Sequence, residues 1–384
     1  MFAIWKTQPK DSNKELMNAL KTKTIKDELL HNSVPPLTAF ERDIVKEITR
    51  STQIHNESNI TRTNKYLAFY NTYPEIEWAL LAHLVSRNSG WSMTDLKGEW
   101  LSKLLSEKEQ KNYFRLLERA NWLIFQDAYP QLLLYHYSLQ HNQSLFHLLS
   151  HFNVSRFMEP IWNYFLDKQD RSTLSTALIM NEQHYIEKRV IHNPFFKQAV
   201  LDTIDFKIQE WLGLTQILFP FANKRKQNEI HFSGHTVHQF ASISSRINFG
   251  KELYATLFSN SKRLRSIVHW AEKHPHTGSR KDYWPHLFHT VRESPPGKLS
   301  IKLERCRIRK GATRIYSPPL NIAWEIIDHS PSSPDDWFTH WDLASPLLTP
   351  PTSTEENMKE AHCEALSKIE LAVAAKQIIF HRKN

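Results

Sequence analysis

The sequence predicts a mostly α-helical protein: a multi-helix globular body, then an irregular segment near the C-terminus that carries a small basic antiparallel β-ribbon. Three observations predict it. Apolar residues recur three and four apart through most of residues 35–290, the period of a helix with one buried stripe. Prolines and capping residues punctuate those periodic stretches at helical lengths. Beyond residue 290 the period changes to two, with Leu299, Ile301 and Leu303 alternating before Arg305, Arg307 and Arg309 take over the same parity.

Taken in order, residues 1–34 form a polar, lysine-rich extension with a weak helical pattern at Leu16, Leu20 and Leu29. Thr38 is placed to cap a second helix carrying Phe40, Ile44, Val45 and Ile48. The stretch at 59–100, NITRTNKYLAFYNTYPEIEWALLAHLVSRNSGWSMTDLKGEW, is the densest in apolar residues. Tyr73-Pro74 is expected to open a helix with almost no solvent face, ended by Asn88-Ser89-Gly90, and Ser92 to cap the next. Tyr129-Pro130 reads as another helix start, and Asp170 as the cap of a long helix. Residues 213–221 are expected to form a short buried turn and 224–228 a charged loop, before helices over 237–258 and 262–273. The body spans 35–290. An irregular segment with the ribbon occupies 291–345, reversing at Gly311-Ala312 and returning through Arg314, Ile315 and Tyr316. A Pro/Ser/Thr-rich linker and an amphipathic helix complete 346–384.

The chain has 384 residues, 40% of them hydrophobic and 12 of them Trp, too apolar for a disordered chain. No stretch approaches the roughly 18 consecutive apolar residues of a spanning helix, so no integral membrane association is expected. The start, MFAIWKTQPK, lacks the apolar region and cleavage site of a secretory signal, which places the protein in the cytoplasm. The two cysteines, Cys306 and Cys363, are too few for a disulfide framework and are expected to be reduced.

Four groups of residues could carry chemistry. Arg62, His83, Arg87, Asn88, Asp95 and Glu99 combine inward-facing cations with carboxylates, which suits an anion site or a general acid/base pair around His83, Arg87 and Asp95. A buried network joining two helices needs the same residue types. In HPHTGSRKDYW, residues 274–284, the Gly278 backbone with Thr277, Ser279 and Arg280 could cradle a phosphate, or form a tight loop in which Asp282 pairs with Arg280. His231, His235 and His238 would align on a helix, but Gly234 argues against one, and no metal or other cofactor is expected. The net charge is +9, and seven basic residues (Lys298, Lys302, Arg305, Arg307, Arg309, Lys310 and Arg314) face one acid, Glu304, within residues 298–314. Guanidinium groups at alternate strand positions suit a row of phosphates. The plainer alternative is an edge strand protected by charge.

The stretch 59–100, HPHTGSRKDYW and SPPLNIAWEIIDHSPSSPDDWF resemble the YppC-like domain-of-unknown-function family of Gram-positive bacteria, over about residues 48–338. The resemblance implies a bacterial cytosolic origin and carries no assigned activity, so no catalytic residue follows from it. The residues themselves favour a cytosolic protein that binds a polyanion, nucleic acid foremost, through the ribbon. An enzyme acting on an anionic or phosphorylated small molecule is the alternative. A scaffold binding a protein partner through the tryptophan-rich stretch 324–341 is a third.

Overall fold

The computed structural model describes residues 10–29, 36–202, 216–223, 226–237, 242–293, 301–350, 352 and 357–381. It is mostly helical, with one long β-hairpin and, among the described residues, two two-residue strand pairings that form two further small sheets. Helix α1 (Lys10–Leu29) seats Leu16 and Leu20 on the body. Helix α2 (Ala39–His55) begins at Thr38, whose hydroxyl accepts from Glu41 N while Glu41 returns a bond to Thr38 N, a capping box. Helix α3 (Asn59–Thr72) starts on a second such box, Ser58 with Thr61.

Helix α4 (Glu77–Asp95) is the axis around which the site is arranged. It begins three residues after Pro74 rather than at it, and it does not end at Asn88-Ser89-Gly90. Glycine normally costs a helix interior about 1 kcal/mol against alanine. Here a Cβ on Gly90 would lie 2.4 Å from both Asn59 Oδ1 and His276 Nε2, so the position demands glycine for close approach instead of termination. His83, Arg87 and Asp95 therefore share one helix.

Helix α5 (Glu107–His141) likewise runs through Tyr129-Pro130 without restarting. Helices α6 (Met158–Lys168) and α7 (Arg171–Ile186) follow, the latter capped by Asp170, which accepts from Thr173 N at 3.1 Å. Of the residues expected to form a turn and a charged loop, 216–221 and 226–228 instead lie in an antiparallel hairpin, β1 (Gln216–Asn223) with β2 (Lys226–Thr236), while 213–215 and 224–225 lie outside the described residues. Its alternation is obscured by Pro220 in the first strand and by a polar run in the second. Helices α8 (Ile243–Phe258) and α9 (Ser261–Lys273) pack on it, α8 starting six residues later than the pattern suggests, behind the Ser242 cap.

The C-terminal irregular segment is not one ribbon. Strands β4 (Leu303–Glu304) and β5 (Arg307–Ile308) pair antiparallel around a turn at Arg305 and Cys306, both left-handed (φ 47° and 64°), the geometry of a tight primed hairpin. Strand β6 (Ile315–Tyr316) does not return along that hairpin. It pairs parallel with β3 (Phe288–His289). Helix α10 (Met358–His381) lies across the long hairpin, burying Met358, Leu366, Ile369 and Val373. The cysteines, expected to be reduced, form a disulfide between Cys306 and Cys363, with Cα atoms 5.4 Å apart across a separation of 57 residues. It ties the tip of the small hairpin to α10.

Candidate functional site

Two ion pairs clamp α4 to the loop at 274–284, and they cross the pairing expected from sequence. Arg280 does not take its neighbour Asp282. It reaches Asp95 near the end of α4, with Nε and Nη2 on Oδ2 at 2.7 and 2.6 Å. Asp282 faces Arg87, two turns earlier on the same helix, with Nη2 3.8 Å from Oδ2. The loop that makes this possible is built from its own polar groups. Thr277 donates from N and Oγ1 to Asp282 at 3.0 and 2.6 Å, Ser279 Oγ donates to Ser317 O, and Gly278 at φ +82° brings its carbonyl onto Thr94 Oγ1. A side chain on Gly278 would strike Leu320 as well as being strained. The Ser279 and Arg280 amides, which could have cradled a phosphate, are engaged with Thr277 Oγ1 and Ser317 Oγ.

Arg87 and His83 are each 1% exposed. The Arg87 guanidinium sits 4.6 Å from the Trp270 ring and 5.6 Å from the Trp91 ring, and its Nη1 donates to His274 O at 2.7 Å. Burial pulls it down to about 10, opposed by Asp282. His83 donates from Nδ1 to Thr63 O at 2.8 Å, and burial, reinforced by Arg87, holds it well below its ordinary value. It is neutral at pH 7. Its Nε2 has no hydrogen-bond partner among the described residues, nor do Nε of Arg87 and Nε1 of Trp270, while Nδ1 of His276 lies 3.5 Å from Asp282 Oδ2. His276 sits beside them, donating from Nε2 to Asn59 Oδ1 at 2.9 Å. Asp282 is held below the usual carboxylate range because His276, Arg87 and Thr277 outweigh the penalty of its burial. The sequence reading missed Trp270 and His276, which lie on no common motif with Arg87.

Other predicted residues serve the frame. Arg62 pairs with the buried Glu118 and donates to Asn56 O at 3.1 Å, joining α3 to α5. Asn88 donates to Leu218 O and accepts from Leu218 N, both at 2.9 Å, pinning β1 to α4. Glu99 receives Tyr316 N at 2.9 Å and Lys302 Nζ at 2.6 Å. Arg280 also donates to the Tyr283 hydroxyl, and Asp95 and Tyr283 push its guanidinium up despite burial.

The seven basic residues divide. Lys298 lies outside the described residues. Lys302 is 2% exposed and consumed by Glu99, and Arg314 is held by Glu293 at 2.6 Å. Arg305, Arg307, Arg309 and Lys310 remain exposed on the small hairpin and the turn after it. That hairpin is firmly held: Glu370 of α10 accepts from Lys302 N and Leu303 N at 2.7 and 3.1 Å, and the disulfide fixes its tip. Arg292 stacks on Tyr316 at 4.5 Å, adding a further exposed cation nearby. The tryptophans of 324–341 turn inward: Trp324 stacks on Phe114 at 4.3 Å, and Trp337 on His184 at 4.0 Å.

His231 and His235 lie on β2. His235 Nε2 is 2.6 Å from Thr256 Oγ1, the His231 ring rests 5.7 Å from that of Phe221, and His238 lies outside the described residues. Among the described residues no cluster of histidine, cysteine and carboxylate side chains is arranged to hold a metal, and no helix is long and apolar enough to cross a membrane.

The family model for a protein of unknown function, DUF2515, matches residues 54–364. The chain belongs to that family. The match reaches further than the quoted motifs do, running past the linker into α10 and taking in Cys363. The uncharacterized protein YppC of Bacillus subtilis (strain 168) is 46% identical over 254 residues, covering 66% of this chain and 77% of that protein. No solved structure matches the chain.

Proposed function

We propose that this protein binds a polyanion, nucleic acid foremost, through the small hairpin and the turn that follows it. The observation that carries this reading is the set of exposed cations Arg305, Arg307, Arg309 and Lys310 on a hairpin anchored at its base by Glu370 and at its tip by Cys363. Edge protection does not by itself call for this concentration of positive charge on a strand of two residues. A rigid cluster of guanidinium groups suits phosphates, because little side-chain or loop entropy is lost when they are engaged. Lys302 and Arg314 sit behind this surface as ion-paired supports. Fluorescence anisotropy of labelled single-stranded DNA, duplex DNA and RNA tests the reading, and absence of binding to all three at low salt would sink it.

A second reading places an anionic small-molecule site at His83, Arg87 and Asp95, with Arg62, Asn88, Thr277, Ser279 and Arg280 around it. Nε2 of His83, Nε of Arg87 and Nε1 of Trp270, buried without hydrogen-bond partners among the described residues, favour it, since buried polar atoms normally have partners. The near-complete burial of His83 and Arg87 and the engagement of Asp95 with Arg280 weigh towards a framework role. Phosphate and small carboxylates that raise Tm in the wild type but not in Arg87→Lys would support it, and equal shifts in both proteins would count against it.

A further inference from the structure

The disulfide between Cys306 and Cys363 holds a turn that its own residues disfavour. The small hairpin pairs Leu303 with Ile308 and Glu304 with Arg307, so Arg305 and Cys306 alone make the reversal. Both have positive φ, 47° and 64°. A two-residue turn of that kind selects asparagine or aspartate followed by glycine, because a Cβ crowds the backbone in the left-handed region. Arginine and cysteine carry that cost, and a ladder of two residue pairs offsets little of it. The tip is tied down by the bond to Cys363 on α10, with Cα atoms 5.4 Å apart.

The base of the hairpin has anchors of its own. Leu303 is buried, Glu370 accepts from Lys302 N and Leu303 N, and Arg309 N donates to Lys302 O at 2.7 Å. Opening the disulfide therefore frees residues 304–308 and leaves the body folded. Both cysteines are partly exposed. Cys306 stands between the exposed Arg305 and Arg307, against Glu304 alone, whereas Cys363 stands beside the exposed Glu364. Guanidinium neighbours favour the thiolate, the form that attacks sulfur, which makes Cys306 the entering thiol and Cys363 the resolving one.

We propose that this pair is a reversible thiol–disulfide switch on the hairpin: oxidised, it fixes Arg305 and Arg307 in the geometry that meets a polyanion, and reduced, it releases them. The effect on binding rests on the polyanion reading, and the release of the tip does not. The exchange partner is a small thiol with its disulfide. To close the bond, the Cys306 thiolate attacks one sulfur of the small disulfide and expels a thiolate. The Cys363 thiolate then attacks Cys306 Sγ of the mixed disulfide and expels the second. Two electrons pass to the small disulfide, and the two protons left by the cysteines go to its two thiolates. Two equivalents of the small thiol open the bond by the same steps in reverse.

Limited trypsin digestion of the full chain, read by mass spectrometry as cleavage after Arg307, tests the release. The oxidised protein should be cut slowly there, and the reduced protein and Cys363→Ser about tenfold faster or more, since cleavage follows the open population. Oxidised glutathione should return the reduced protein to the slow rate. Cys363→Ser combined with Arg305→Asn and Cys306→Gly has the favoured turn residues and should be cut slowly with no disulfide. Equal rates in the oxidised and reduced proteins, no return with oxidised glutathione, or a combined variant cut as fast as Cys363→Ser would overturn the proposal. Anisotropy of labelled duplex DNA on the same samples separates the two readings. Affinity about fivefold lower in the reduced protein supports control of binding, and equal affinity overturns it. No binding by the oxidised protein overturns the polyanion reading, while the cleavage rates still decide the switch.

Discussion

Asp95 and Arg280 are 185 residues apart in the chain, yet one carboxylate oxygen of Asp95 takes two guanidinium nitrogens of Arg280 at 2.7 and 2.6 Å. With Arg87 facing Asp282 on the same two elements, the loop at 274–284 is fastened to α4 at both ends of its polar face. Asp95→Asn leaves the Arg280 charge buried without its partner. It should destabilise the protein by about 3–5 kcal/mol, while replacing both residues by leucine should recover most of that loss. Urea denaturation of the two variants checks it, and an equal loss in both would mean that the pair is not what the loop depends on.

Gly90 sits where helix propensity and packing disagree. Alanine gains about 1 kcal/mol in an exposed helix interior, but its Cβ would meet Asn59 Oδ1 and His276 Nε2 at 2.4 Å. The overlap is with buried, hydrogen-bonded side chains, so Gly90→Ala should destabilise by about 1–3 kcal/mol net. A Tm at or above that of the wild type would show that the two elements part easily.

Burial raises Asp127 to about 7, opposed by Arg189 and the Gln131 and Asn181 amides and reinforced by Asp336. An aspartate in the unfolded chain titrates near 3.9. The folded state therefore holds a proton that the unfolded state has already released. Its contribution is complete below about pH 4 and is lost as pH rises towards about 7, at roughly 1.4 kcal/mol per pH unit. Relative to Asp127→Asn, the wild type should lose stability across that window, and comparing the two proteins removes most of the shared titration of Glu182. Denaturation curves from pH 4.5 to 7 read it directly. A difference that stays flat with pH would mean that Asp127 is ionised throughout.

The disulfide closes a loop of 57 residues, which by chain entropy contributes about 4 kcal/mol. Thiol titration of the unfolded protein should find no free cysteine before reduction and both afterwards. Reduction should lower Tm, and Cys363→Ser should do the same without reductant. Two reactive thiols in the untreated protein would show that the pair is open in solution.

Local signals in the sequence were legible where local chemistry decides the structure. Thr38 and Asp170 cap the expected helices because a cap needs only its own next three residues. Breakers misled where tertiary packing overrides them: Gly90 and Pro130 both lie inside helices, one for a close approach and the other within a helix of 35 residues. The inward placement of His83 and Arg87 followed from a helix with no polar face. Their partners did not, because His276 and Asp282 lie almost two hundred residues further on, and the nearest carboxylate to Arg280 in sequence, Asp282, was the wrong one. Nor does a spacing of 57 residues disclose that two cysteines meet.

The central claim concerns the exposed cations of the small hairpin. Its most direct test is the salt dependence of nucleic-acid binding by the wild type and by the variant with Arg305, Arg307 and Arg309 changed to glutamate. If the hairpin contacts phosphates, affinity should fall steeply between about 50 and 200 mM salt, with a log–log slope of roughly −3 or steeper on duplex DNA, and the variant should lose binding while keeping its Tm. Binding that the folded variant retains with the same slope would contradict the account and return these arginines to the protection of a strand edge.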